Sequence, residues 1–307
     1  MTVQLDNARI GFIGTGVMGS SMAKHLQQGG YKLSIYTRTK AKAQELLDLG
    51  MEWKASPGEL AAECDVVITM VGYPSDVRAL YLGEDRVIDH ARPGTYLIDM
   101  TTSSPLLAKQ IYESACLKGL HALDAPVSGG DVGARNGTLS IMVGGDDQAF
   151  NTVLPIFEQM GNRIVLQGGP GAGQHTKMVN QIAIASNMVG VCEALVYAAE
   201  AGLDLKKVLS SIETGAAGSW SLSNLAPRII EGDFEPGFYV KHFIKDMEIA
   251  LQVADDMKIE LPGLSLARQL YARIAEAGLT EKGTHALYLA WDKNEGAQGG
   301  EGGRYHP

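Results

Sequence analysis

The sequence predicts an α/β domain with a doubly wound, mainly parallel sheet, followed by an all-α domain that a long interdomain helix enters. Three observations predict this. Short apolar runs alternate with amphipathic stretches through the first half of the 307 residues, which is the pattern of parallel strands covered on both faces. A glycine-rich turn follows the first apolar run directly. After a second glycine cluster, Gly168-Gly169-Pro170-Gly171-Ala172-Gly173, only helical spacing remains.

Taken in order, the apolar runs predict strands at 8–13, 33–36, 66–70, 96–99, 121–123, 140–143 and 163–166. Between them, 3.6-type spacing predicts helices at 17–28, 40–49 and 105–118. Residues 174–201 contain no proline and one glycine and are apolar on most faces, so one long helix buried nearly all round is expected. Further helices are expected at 205–213, 242–257, 264–277 and 284–292. The domains are then 1–167 and 168–293. The last residues, 294–307, are glycine-rich and lack apolar anchors, which predicts a disordered tail.

Bulk composition removes several classes. Hydrophobic residues at 45% and charged residues at 20% exclude a disordered, collagenous or coiled-coil chain. A formal charge of -9 without a Lys/Arg block argues against a nucleic-acid partner. No run of about 18 uninterrupted apolar residues stands out, and the N-terminus does not read as a signal peptide, so no membrane association and a cytoplasmic location are expected. Cys64, Cys116 and Cys192 have no C-x-x-C spacing and read as small buried residues of a reducing compartment. The seven histidines are scattered without metal-ligand spacing, which argues against a metal site.

The strongest motif is Gly14-Thr15-Gly16-Val17-Met18-Gly19, a G-x-G-x-x-G placed between the first strand and the first helix. There the first glycine makes the tight turn, the second admits a pyrophosphate and the third lets helix and strand pack, the dinucleotide-binding device of a Rossmann domain. The second strand chooses the cofactor. An NAD site places Asp or Glu at its end, whereas Thr37, Arg38 and Thr39, with Lys40 beyond, offer a guanidinium for a 2′-phosphate. NADP is therefore the preferred cofactor, with NAD as the other possibility.

Four segments carry a resemblance. They are Gly14–Gly19 with Met22-Ala23; Asp124-Ala125-Pro126-Val127-Ser128-Gly129-Gly130 with Gly133-Ala134 and Gly137-Thr138-Leu139; Gly171-Ala172-Gly173 with Lys177, Asn180 and Gln181; and Lys245-Asp246. In this order and spacing the chain resembles the 3-hydroxyisobutyrate dehydrogenase family of β-hydroxyacid dehydrogenases, which includes tartronate semialdehyde and glyoxylate/succinic semialdehyde reductases. The likeness runs from about Arg9 to the neighbourhood of Trp291.

The resemblance implies Lys177 as catalytic acid/base and Ser128, Gly129 and Gly130 as holders of a small carboxylate. Asn180 and Gln181 are implied to position the lysine or the substrate hydroxyl, and Gln181 departs from the asparagine common at that place. It also implies cofactor contacts from Val71, Gly72 and Asp76, where relatives carry Leu-Pro in place of Val71-Gly72, from Thr101 and Thr102, and from Lys245 and Asp246. The physics of the residues agrees. An ammonium in an apolar helix needs a partner or a cavity, and partial desolvation beside a cationic nicotinamide would lower its pKa. Trp220, Phe238 and Phe243 are candidates to line the substrate cleft, although aromatics on helices more often pack in a core.

The expected activity is reversible hydride transfer between the nicotinamide and a small β-hydroxy acid, in a homodimer or homotetramer. An imine-type reductase and a catalytically silent cofactor-binding module are the alternatives.

Overall fold

The computed structural model describes residues 5, 7–84 and 86–291. The chain divides into two compact units, Met1–Met178 and Val179–Pro307. The proposed tail at 294–307 lies outside the described residues.

The first unit is built on nine strands: β1 Arg9–Ile13, β2 Lys32–Tyr36, β3 Glu52–Trp53, β4 Val66–Thr69, β5 Tyr96–Asp99, β6 His121–Asp124, β7 Val127–Ser128, β8 Leu139–Gly144 and β9 Gly161–Gly168. Their order is β3-β2-β1-β4-β5-β6-β8-β7, with β9 also on β8. Pairing is parallel from β3 through β6, whereas β8 runs antiparallel to β6 and β7. The mainly parallel sheet is therefore present, with β8 and β9 running opposite to the other strands.

β4 and β5 are buried at every residue. Along β4, Val66 and Ile68 enter one apolar cluster and Val67 enters the other; along β5, Tyr96 and Ile98 part from Leu97 in the same way. Alternate side chains leave opposite faces of a strand, so a continuous apolar run supplies both cores at once. The order reverses between β1 and β4, and open α/β sheets bind ligands at the carboxyl ends of strands beside such a switch.

Several elements depart from the sequence reading. β3 and β7 are two residues long, too short to leave a periodic signal. The stretch 40–49 is a 3-10 turn, Lys40–Ala43, running into the short helix Gln44–Asp48. The expected helix at 284–292 is a 3-10 helix, Thr284–Trp291, and its expected last residue lies outside the described residues. Helix Asp147–Phe157 was hidden by Pro155 inside it.

The long helix is Ala172–Glu200. By length and composition it could cross a membrane, with a mean hydropathy of 1.6 in its most apolar window, which the uninterrupted-run criterion overlooked. Only 39% of that window is buried within the chain, and Val179 and Tyr197 are exposed. It is therefore not buried all round, because neighbouring elements of one chain cover only part of it.

In the second unit, helix Val240–Asp256 packs on helix Pro262–Glu276. Phe243 meets Tyr271 edge-on at 5.1 Å, and the Tyr271 hydroxyl donates to Thr284 O at 2.7 Å.

Candidate active site

The glycine turn has the three properties a dinucleotide needs. Gly14 has φ +97°, a region that favours glycine, and its N–H donates to Tyr36 O at 2.9 Å. A Cβ on Gly19 would lie 1.9 Å from Gly14 O, so helix and strand pack with no room for a side chain. A Cβ on Gly16 would meet nothing within 4 Å, which leaves the turn open above it. Thr15 Oγ1 is buried without a hydrogen-bond partner. Helix Val17–Gln28 begins after Gly16 with no side-chain cap, so its first N–H groups face outward, as an anion requires.

Thr37, Arg38 and Thr39 follow β2. Arg38 is 83% exposed and lies 3.4 Å from Asp76, in the first turn of helix Pro74–Leu82. Val71 and Gly72 follow β4, and the Val71 N–H donates to Thr101 Oγ1 at 3.0 Å. Thr101 and Thr102 follow β5, Thr101 buried and Thr102 half-buried. Asp99 anchors this group: its carboxylate accepts from Thr69 Oγ1 at 2.8 Å and from the Thr101 N–H at 3.1 Å. Burial pushes the Asp99 pKa up to about 6, against the pull of those donors.

Ser128 ends β7, and Gly129 and Gly130 follow with φ of +130° and +60°. Two such residues in succession keep the backbone clear of side chains beside the serine hydroxyl. Lys177 is only 7% exposed, and its Nζ donates to Val127 O at 2.8 Å. The amine is thus brought to the residue before Ser128-Gly129-Gly130.

The second unit holds a separate polar chain. Asn180 Nδ2 donates to Gln181 Oε1 at 2.7 Å, and Gln181 Nε2 donates to Asp246 Oδ2 at 2.6 Å. Asp246 Oδ1 lies 3.0 Å from Lys245 Nζ, an ion-pair contact outside hydrogen-bonding geometry. Gln181 therefore spends both ends of its amide between Asn180 and Asp246. Its extra methylene relative to asparagine lengthens that reach. Phe243 is fully buried against Phe238 and Tyr271, so it is a core residue and not a cleft wall. Trp220 begins helix Trp220–Asn224 and is 67% exposed.

Comparison with known proteins agrees with this frame. Residues 9–169 match the NAD binding domain of 6-phosphogluconate dehydrogenase, and residues 171–291 match the NAD-binding domain of NADP-dependent 3-hydroxyisobutyrate dehydrogenase. The chain is 60% identical over 284 residues to Uncharacterized oxidoreductase YkwC of Bacillus subtilis, covering 92% of this chain and 99% of that one. It is 49% identical over 289 residues to Probable 3-hydroxyisobutyrate dehydrogenase-like 1, mitochondrial, of Arabidopsis thaliana, covering 94% and 86%. The solved structure of Mycobacterium tuberculosis 3-hydroxyisobutyrate dehydrogenase with L-serine superposes with a TM-score of 0.85 at 31% identity, covering 92% of this chain and 98% of that one.

The chain belongs to the 3-hydroxyisobutyrate dehydrogenase family. It is an NAD(P)-dependent β-hydroxyacid dehydrogenase.

The turn of this β-hydroxyacid dehydrogenase fits the dinucleotide that its family binds, by the open space at Gly16 and the unpartnered Thr15 hydroxyl. Among the described residues no cluster of three His, Cys, Asp or Glu side chains is placed to hold a metal ion. Cys64 and Cys192 are buried, and burial raises both thiols, Cys64 to about 11, so they stay protonated. Cys116 is exposed at the end of helix Pro105–Cys116, contrary to the reading of three buried thiols.

Two further polar residues, Asp124 and Gln174, are buried with several hydrogen bonds each. In the sequence Asp124 stands as the first residue of the Asp124–Gly130 motif, and Gln174 stands near the start of the long helix. The available signal was an acid closing an apolar strand and an amide opening an apolar helix, each needing a partner.

Proposed function

We propose that this dehydrogenase interconverts a small β-hydroxy acid and its semialdehyde, with Lys177 as general acid/base. The observation that carries the reading is the Lys177 amine, buried and 2.8 Å from Val127 O, directly before the Ser128-Gly129-Gly130 turn. A bound nicotinamide supplies the hydride acceptor in oxidation and the hydride donor in reduction. In oxidation the neutral Lys177 amine takes the hydroxyl proton as the carbinol C–H leaves as hydride. In reduction the Lys177 ammonium returns that proton to the aldehyde oxygen. Ser128 Oγ and the backbone N–H groups of Gly129 and Gly130 hold the carboxylate, which fixes the β-carbon beside the amine. Asn180, Gln181, Lys245 and Asp246 act as one set, with Gln181 holding Asn180 against Asp246.

NADP is the preferred cofactor, held by Gly14, Thr15, Gly16, Val17, Met18 and Gly19 at the pyrophosphate, and by Thr37, Arg38 and Thr39 at the 2′-phosphate. Support comes from the exposed Arg38 guanidinium and from the absence of a carboxylate among those three residues. Val71, Gly72, Asp76, Thr101 and Thr102 complete the cofactor contacts. The L-serine of the Mycobacterium tuberculosis structure is itself a β-hydroxy acid, which supports the substrate class. The exposed apolar residues Val179 and Tyr197 of the long helix support a homodimer or homotetramer. The free cysteines Cys64, Cys116 and Cys192 support a cytoplasmic location.

A substrate panel tests the reading. NADPH consumption is measured with succinic, tartronate and methylmalonate semialdehydes, glyoxylate and a cyclic imine. Turnover of a carboxylate-bearing aldehyde is the expected result. Turnover of the imine alone would contradict it.

A further inference from the structure

The Gly171-Ala172-Gly173 segment and the acid that precedes it in space have no part in the proton step itself. Asp124 closes β6 and is 5% exposed. Its two carboxylate oxygens are divided between two donors at the start of the long helix. Oδ1 accepts from the Gly171 N–H and Oδ2 from the Gln174 N–H, each at 2.8 Å. These N–H groups belong to the helix start, which no carbonyl of the helix itself can satisfy.

The fit has no slack. A Cβ on Gly173 would lie 2.4 Å from Met142 O and 2.6 Å from Asp124 O. A Cβ on Gly144 would lie 2.5 Å from Asp124 Oδ1 and 2.7 Å from Gly173 N. β6, β8 and the helix start thus meet backbone to backbone around one carboxylate.

Gln174 forms the second half of the joint and is fully buried. Its Nε2 donates to Thr101 O at 2.7 Å, and its Oε1 accepts from the Ser103 N–H at 2.9 Å. The loop after β5 is therefore fastened to the same helix turn. Lys177 is three residues further on, about 4.5 Å along the axis, and its amine returns to Val127, three residues after Asp124. One short stretch of chain receives both the cap and the amine.

We propose that Asp124 and Gln174 are positioning residues for the proton transfer: they fix the helix start so that the Lys177 amine stands at the Ser128 turn. This rests on the reading of Lys177 as the proton carrier. Asparagine at 124 offers one acceptor oxygen where two N–H groups converge, and methionine at 174 fills the space of the amide without its bonds. A small displacement of a reacting group can lower turnover by about 100-fold.

The test uses the full chain with Asp124→Asn and Gln174→Met, each made in the wild type and in Lys177→Ala. Turnover and KM are measured with the best semialdehyde, and the NADPH dissociation constant by fluorescence titration. Each change is expected to lower kcat by roughly 30–100-fold in the wild type, with NADPH affinity held within about threefold. In the Lys177→Ala background the same change is expected to cost less than about threefold, since the group it positions is gone. Wild-type kcat in both variants would overturn the proposal, as would an equal loss in the two backgrounds. Loss of NADPH binding in both would also overturn it, by making the joint a support of the whole domain. Near-normal turnover of Lys177→Ala itself would instead remove the reading on which the proposal rests.

Discussion

The two units of the chain place their polar groups differently. In the first, Asp99 and Asp124 end adjacent parallel strands and stand opposite each other in register, while Ser128 ends β7 and the glycine turns follow strand ends. In the second, Asn180, Gln181, Lys245 and Asp246 lie along the sides of helices. The difference follows from where backbone groups are free. A strand that stops leaves N–H groups and turns available, so glycine turns expose backbone donors and a buried carboxylate is satisfied by backbone N–H groups. A helix interior spends its backbone on itself, so only side chains are left, and each must satisfy the next. Damage should therefore be steric in the first unit and electrostatic in the second.

The largest effect should come from a methyl group at Gly19, whose Cβ would sit 1.9 Å from Gly14 O. Gly19→Ala is expected to weaken NADPH binding more than about 100-fold and to destabilise the first unit by roughly 1–3 kcal/mol. Gly16→Ala sharpens the point, since nothing of the protein lies within 4 Å of its Cβ. Its melting temperature should match the wild type, with only NADPH affinity reduced. Equal melting losses in the two variants would break the steric account.

Gln181→Leu probes the other unit. It removes the donor at 2.6 Å from the buried Asp246 carboxylate and the acceptor for Asn180. A cost of about 1–3 kcal/mol is expected in denaturant unfolding, although a leucine fills much the same volume. An unchanged midpoint would show that the chain of side chains is not mutually dependent.

Arg38→Ala should raise the KM for NADPH about tenfold while leaving NADH within twofold. A wild-type preference of tenfold for NADH would sink the assignment of Arg38 to a phosphate. The smallest effect concerns Asp99. Burial raises its folded pKa to about 6 from an ordinary 3.8. The folded chain thus holds that proton more tightly than the unfolded chain. The stability this gives is complete below pH 3.8 and is lost as pH rises through about 6. Asp99→Asn should therefore gain on the wild type by about 1 kcal/mol between pH 5 and 7.5. A constant difference across that window would contradict it.

What could be read in advance followed local signals. The run Val66-Val67-Ile68 announced a strand covered on both faces, and every residue of β4 is indeed buried; Gly14, Gly16 and Gly19 announced their turn because each glycine answers a different steric demand. Lys177 was visible as a charge inside an apolar helix. Asp124 and Gln174 were not, because a buried polar group acquires meaning only from partners 47 to 73 residues away. Phe243 was left open between cleft and core, with the core favoured, because helical spacing cannot tell a cleft wall from the neighbour of Tyr271. Gln181 carried a visible departure from its family, but its link to Asp246 crosses 65 residues.

The most direct test is the turnover of Lys177→Ala, measured with saturating NADPH and the best semialdehyde, beside NADPH titration of the same variant. The proton role assigned to that amine predicts a kcat lower by about 10²–10⁴-fold, with cofactor affinity retained. A variant that binds NADPH and turns over at close to the wild-type rate would contradict it.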